Sequence, residues 1–85
     1  MAGFDGEGNI AVGDGALNAG VVTGDFNVAV GTNALRDNTS GEHNVAVGRE
    51  AMRDNETGIQ NTAIGHQAML INTSGQRNVA VGDDA

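Results

Sequence analysis

The sequence predicts an all-β protein, mainly a short parallel β-solenoid of about five 17-residue repeats. The first observation is a five-residue phrase that starts with asparagine and ends with glycine, as in Asn44-Val45-Ala46-Val47-Gly48. The second is its spacing: successive asparagines are 18, 17, 17 and 17 residues apart. The third is composition, with 14 glycines and no proline. We therefore treat residues 1–85 as a single repeat domain, with residues 1–5 as an N-terminal lead-in.

Each phrase is expected to form a β-strand. Val45-Ala46-Val47 is a β-branched run of strand length, and turn-forming residues flank it on both sides. Side chains alternate along a strand, so Val45 and Val47 point one way and Ala46 points the other. We expect the bulky side chains to face a shared interior. The Ala/Gly face is then expected to lie flat against a neighbouring backbone.

The second half of each repeat leaves two structures open. In the complete repeats an alanine follows the phrase and a large apolar residue comes next: Leu17, Leu35, Met52 and Met69. The spacing of Val47, Ala51, Met52 and Asn55 fits a single helical turn. A second short strand fits the same residues. Asn-Thr-Ser-Gly at 38–41 and 72–75 is typical of a turn.

The phrase-initial asparagines predict a structural ladder. If 17-residue rungs stack at about 4.8 Å, equivalent residues form columns along the stack. Each side-chain amide can then hydrogen-bond to the next one, which removes the cost of burying it. Stacked carboxylates would repel, which accounts for asparagine rather than aspartate. The ladder residues are Asn9, Asn27, Asn44, Asn61 and Asn78.

Composition and charge indicate the kinds of partner. Only 21 residues carry a large apolar side chain, and with no cysteine the chain has no disulfides to compensate for a thin core. We therefore expect self-association. A net charge of −7 disfavours nucleic acid and anionic lipid. No apolar run approaches the roughly 20 residues that span a bilayer, so membrane insertion is not expected.

The repeated phrase Asn-Val-Ala-Val/Ile-Gly resembles the head repeats of trimeric autotransporter adhesins and, equally, repeat modules of bacteriophage tail fibres. The resemblance covers about residues 6–85, although the adhesin repeat is usually shorter, with Ser or Ala in place of Ala-Leu/Met. It implies a left-handed parallel β-roll in which three chains close into one trimer. It also implies attachment to a host surface, and a location on a bacterial cell surface or a virion. The family supplies no catalytic residue, and we expect no cofactor.

Catalytic and metal sites are not expected within one chain. The only serines, Ser40 and Ser74, occupy equivalent turn positions, which indicates a structural role, so we expect no enzyme activity. His43 and His66 fall at different points of the repeat and do not form a ligand pair at helical spacing. His66 is a metal candidate only if it lies on a three-fold axis and meets two copies of itself.

A variable column marks the candidate binding residues for a cell-surface glycan or protein receptor. The residue before each ladder asparagine varies between repeats: Phe26, His43, Gln60 and Arg77. Two other solenoid functions remain as alternatives, ice binding and calcium binding. Ice binding favours one flat threonine-rich face, whereas the threonines here occupy several columns. Calcium is disfavoured because the column after each phrase contains arginine and histidine: Asp14, Thr32, Arg49, His66 and Asp83.

Overall fold

The predicted fold class is confirmed in the computed structural model, which describes residues 3–4, 7–19 and 21–85. Within these ranges the chain is all-β and contains no helix. Residues 1, 2 and 5 of the predicted lead-in lie outside the described residues. The strands are β1 (Gly3–Phe4), β2 (Ile10–Val12), β3 (Val21–Val22), β4 (Val28–Val30), β5 (Val45–Val47), β6 (Thr62–Ile64) and β7 (Val79–Val81).

The five repeated phrases form one parallel sheet in the order β2-β4-β5-β6-β7. The register follows the repeat, because Ala46 of β5 pairs with Ala29 on one side and with Ala63 on the other. At the start of β2, β4, β5 and β6 the first N–H donates to the carbonyl of the ladder asparagine one rung on, as from Val45 to Asn61 at 2.9 Å. Equivalent residues are therefore aligned in columns along the stack.

A second, two-stranded sheet accounts for the extra residue in the first repeat. Strand β1 pairs in parallel with β3, joining Gly3 to Val21 and Phe4 to Val22. These pairs are 18 residues apart, the same interval that separates Asn9 from Asn27. The insertion thus has a matching segment one rung earlier, so part of the predicted lead-in belongs to the stack.

The expected direction of the strand side chains is wrong: alanine faces the interior and the β-branched residues face outward. Ala29, Ala46 and Ala63 are fully buried, whereas Val45 and Val47 are only half-buried. The interior also holds the large side chains of the turn segments, Leu17, Leu35 and Met52. A 17-residue rung encloses little space, and once Leu or Met fills it only a methyl group fits opposite.

In the described segments around the Ala-Leu and Ala-Met pairs, neither the helical turn nor the second strand forms. Instead, β-turns interlock: Ala34 N donates to Gly31 O at 3.1 Å, and Arg36 N donates to Asn33 O at 3.2 Å. The third residue of each turn, Asn33 and then Leu35, has φ of 61° and 50°. Alternation of positive and negative φ prevents a helix from starting.

Glycine is required where the chain leaves each strand. Gly48 has φ of 131°, a region that is essentially restricted to glycine. A Cβ there would lie 2.6 Å from the carbonyl oxygen of Gly65 in the next rung. The same conformation recurs at the other phrase-final glycines, with φ of 116° to 130° at Gly13, Gly31, Gly65 and Gly82.

Candidate functional site

The ladder asparagines are buried inside the stack and link adjacent rungs. Asn27, Asn44 and Asn61 are fully buried. The side-chain oxygen of Asn27 accepts the backbone N–H of Asn44 at 3.0 Å and the side-chain amide of Asn44 at 3.2 Å. The same Asn44 amide donates to the carbonyl of Gly58 at 2.8 Å. Asn9 and Asn78 continue the column, since Asn9 Oδ1 accepts from Asn27 N and Asn61 Oδ1 accepts from Asn78 N, both at 2.9 Å.

A second asparagine column, which the sequence reasoning assigned only to turn chemistry, runs beside the first. The side-chain amide of Asn55 donates to Asn38 Oδ1 at 2.9 Å, and that of Asn72 donates to Asn55 Oδ1 at 3.2 Å. Asn38 and Asn55 are fully buried. Their common 17-residue spacing was the signal for this column. Among the described residues, no buried side-chain nitrogen or oxygen lacks a hydrogen-bond partner.

The outward surface of the five-stranded sheet is an uncharged and mostly aliphatic strip, here called the valine face. It consists of Ile10, Val12, Val28, Val30, Val45, Val47, Thr62, Ile64, Val79 and Val81. Its two columns run along the whole stack, because each strand adds one residue to each column. At the ends of the stack Val12 is 57% exposed and Val79 is 75% exposed. The middle members are half-buried by their neighbours on adjacent strands.

The valine face differs in charge from the chain as a whole. It contains no charged residue, whereas the chain has a net charge of −7. Large contiguous exposed apolar patches are uncommon on soluble monomeric proteins.

The predicted binding column forms a stack of planar side chains at the surface. The rings of Phe26 and His43 lie 5.3 Å apart at an interplanar angle of 25°. On its other side the Phe26 ring lies against Gly8. Further along, Arg77 Nε donates to Gln60 Oε1 at 3.2 Å. Neighbouring rungs therefore contact the Phe26 ring on both sides in the column, and Phe26 remains 53% exposed.

Charged residues line a different side of the stack. Arg36 Nε donates to Asp37 Oδ1 at 3.2 Å, and Arg53 Nε donates to Asp54 Oδ1 at 3.1 Å. The hydrogen bond from Arg53 is the main cause that lowers the pKa of Asp54 below its ordinary value. Arg36 and Arg53 thus each pair with the aspartate that follows in the sequence. These pairs compensate the like charges that lie one rung apart.

Glu50 lies beside this charged side and has a partner one rung on. Gln67 Nε2 donates to Glu50 Oε1 at 2.8 Å. This hydrogen bond is the largest cause that lowers the pKa of Glu50, and Arg49 and Arg53 act in the same direction.

His66 lies just beyond β6 and contacts the corresponding residue of the next rung. His66 Nδ1 and Asp83 Oδ1 are 3.0 Å apart, and Asp84 is close enough that one ligand atom from each of the three lies within 4.8 Å of the others. Sequence reasoning placed His66 and Asp83 in one column but did not link them. Asp83 follows His66 by 17 residues, which is the signal that would have joined them.

Comparison with known proteins does not identify a relative: no protein family matches the chain, and neither does any curated protein or solved structure. Among the described residues no helix is long and apolar enough to cross a membrane.

Proposed function

We propose that the chain is a non-catalytic attachment module whose copies assemble, as a trimer, through the valine face. The observation that carries this proposal is the uncharged and mostly aliphatic strip along the full stack of strands. Two of its terminal residues, Val79 and Val81, are 75% and 66% exposed. Leaving such a strip in water is unfavourable by roughly 25 cal/mol for each Å² of apolar surface.

A second copy of the same chain is the partner that fits this strip best. Four of the five strands present two aliphatic side chains, and β6 presents Thr62 and Ile64, at a rise of about 4.8 Å per strand. A parallel copy has the same rise, so its side chains can meet those of the first chain rung by rung along the whole face. Three chains around one axis would bury the strip completely and would give each thin core two neighbours.

Attachment to a host surface follows from the resemblance of the repeated phrase to adhesin heads and tail fibres. A stack of hydrogen-bonded rungs is a stiff spacer, and a trimer presents three identical outer surfaces. Three weak contacts on one rigid body bind far more tightly than one. This role places the protein outside the cell, on a bacterial surface or a virion, with a glycan or protein receptor as its ligand.

The mass in solution tests the assembly. Light scattering on the purified chain should give a threefold multiple of 8.6 kDa. The double variant V45E/V47E puts carboxylates in the middle of the valine face and should be monomeric yet still β-structured. Ile71→Glu is the matched control, because Ile71 is 69% exposed but lies outside the face. A wild-type monomer, or a trimer that survives V45E/V47E, would refute the proposed interface.

Binding to whole cells and to a glycan array tests attachment separately. The trimer should bind a host surface, and the V45E/V47E monomer should bind much more weakly because avidity is lost. A thermal-hysteresis measurement distinguishes attachment from ice binding. A trimer that binds no cell or glycan and shows thermal hysteresis would favour the ice-binding solenoid.

A further inference from the structure

We propose that His66, Asp83 and Asp84 form a binding site for a divalent transition-metal ion such as Zn²⁺. The site lies within one chain, beyond the C-terminal ends of strands β6 and β7. It does not depend on the proposed assembly or on host attachment.

The register of the sheet brings the three ligands together. Ile64 at the end of β6 pairs with Val81 at the end of β7, so His66 and Asp83, two residues further on, share one column. The backbone N–H of Asp84 donates to the carbonyl of His66 at 2.8 Å. The three side chains therefore come from two adjacent rungs that are hydrogen-bonded to each other.

The donor set favours zinc over calcium. Imidazole nitrogen suits Zn²⁺, Cu²⁺ and Ni²⁺, whereas Ca²⁺ takes six to eight oxygen ligands. In a tetrahedral Zn²⁺ shell with bonds of about 2.1 Å, neighbouring ligand atoms lie about 3.4 Å apart, so His66 Nδ1 and Asp83 Oδ1, which are 3.0 Å apart at hydrogen-bond distance, need to separate by only a few tenths of an ångström. His66 and Asp83 side chains are 45% and 72% exposed, so they can adjust to the ion and water can complete the shell.

The charge of the cluster is not balanced by arginine. Elsewhere in the stack Asp37 and Asp54 each pair with an adjacent arginine. Among the described residues Asp83 forms an ion-pair contact only with His66, and Asp84 forms none. A cation between these two carboxylates would therefore be stabilised by charges that nothing else in the described chain neutralises.

The other rungs provide an internal comparison. In the first three repeats, the positions equivalent to Asp83 and Asp84 hold other residues, which do not supply the same ligands. These pairs are Asp14 with Gly15, Thr32 with Asn33, and Arg49 with Glu50. Among the described residues, only this cluster brings three such ligand groups together. The site is thus confined to one pair of adjacent rungs in a regular stack.

Calorimetric titration of the full chain with ZnCl₂ tests the site. We expect one Zn²⁺ per chain and little heat with CaCl₂. His66→Gln and Asp83→Asn should each weaken Zn²⁺ binding by about tenfold or more, since even residues outside the ligand set change metal affinity by 10–100-fold. His43→Gln and Asp14→Asn, which change the same residue types away from the site, should leave binding unchanged. Circular dichroism should show that all four variants keep the wild-type fold.

Two results would overturn the proposal. One is Zn²⁺ binding that is unchanged in His66→Gln, or reduced equally in His43→Gln, because the ion then collects on acidic surface without this site. The other comes from the V45E/V47E variant: one Zn²⁺ per three wild-type chains and none on the monomer would place the ion on a three-fold axis instead. A monomeric wild type that binds Zn²⁺ through His66 would refute the proposed assembly and support the metal site.

Discussion

Removal of the Asn44 side-chain amide tests whether the buried ladder holds the rungs together. Asn44 Oδ1 is the acceptor for the backbone N–H of Asn61 at 3.0 Å. In Asn44→Ala this N–H has no partner in a buried position, which costs about 1–3 kcal/mol. Two donated hydrogen bonds, to Asn27 Oδ1 and Gly58 O, are also lost. These acceptors keep other donors, so each loss costs only about 0.5–1.5 kcal/mol.

The sum is a destabilisation of about 2–6 kcal/mol, a large share of the 5–15 kcal/mol that is typical of a domain. Urea unfolding followed by far-ultraviolet circular dichroism measures it, because the chain has no tryptophan or tyrosine for fluorescence. Wild type and variant are compared at one protein concentration, since assembly would change the apparent stability. Asn18→Ala is the control, because Asn18 is exposed. A loss below 1 kcal/mol in Asn44→Ala, or an equal loss in the control, would refute the ladder's role.

Asn44→Asp sharpens this test because it preserves shape. The variant keeps an acceptor for Asn61 N–H but points a second oxygen at Gly58 O, 2.8 Å away in the wild type. A buried carboxylate has a raised pKa, so the folded state holds more protons than the unfolded state. Stability should therefore fall as pH rises above about 4, and acid should partly rescue the fold. A variant that is equally stable at pH 4 and pH 7 would contradict the burial of this side chain.

Further predictions concern the backbone, the core and the surface charges. Gly48→Ala should abolish folding or cost several kcal/mol by urea unfolding, because the new Cβ would lie 2.6 Å from Gly65 O at φ of 131°; a near-neutral effect would contradict the close stacking. Ala46→Leu should cost about 1–3 kcal/mol or more, since Ala46 is fully buried, and a stabilised variant would mean that the interior has room. The pKa of Asp54 is lowered by its hydrogen bond from Arg53, so this pair stabilises the fold above the ordinary aspartate pKa and loses that effect as pH falls through the lowered value. Asp54→Asn should therefore show a smaller urea-midpoint drop than wild type between pH 5 and pH 2, and an identical drop would remove the pair as a cause.

The periodicity of the sequence was enough to predict the sheet. The asparagine spacing set the parallel register, because one residue of slip would break every column at once. It did not determine which side of the strand faces inward. Alternation in Val45-Ala46-Val47 indicates two faces, and the usual rule buries the bulkier one. The rule fails here because Met52 and the ladder asparagines already fill the narrow interior.

The turn segments were harder to predict, because they use residues in unexpected conformations. Leu35 and Met52 have φ of 50° and 47°, a region that costs about 1–2 kcal/mol for residues other than glycine. The bonds between rungs compensate: Leu35 N donates to Ala51 O at 3.0 Å. The conformational propensities of a single repeat do not include the stabilisation by these hydrogen bonds, because the bonds form only when the next rung is stacked.

The candidate metal site shows the same dependence on stacking. His66 alone is an unexceptional surface residue, and Asp83 and Asp84 are two more acidic residues in an acidic chain. Their juxtaposition follows from reading the sequence in columns of 17 rather than along the chain. Which strand residues form the valine face, by contrast, could be determined only from the exposure of each residue in the structure. The alternation of the sequence is compatible with either face of the strand being inside.

The asparagine ladder has a consequence for how such a protein varies in length. Asn44 forms hydrogen bonds only with the rungs immediately before and after it, so the ladder links each repeat only to its direct neighbours. Copying or deleting one complete unit would leave every remaining junction as it was, and would change the height by about 4.8 Å. Gene duplication could therefore tune the reach of the molecule in uniform increments, while a change by any other number of residues would need a compensating partner, as β1 provides for β3.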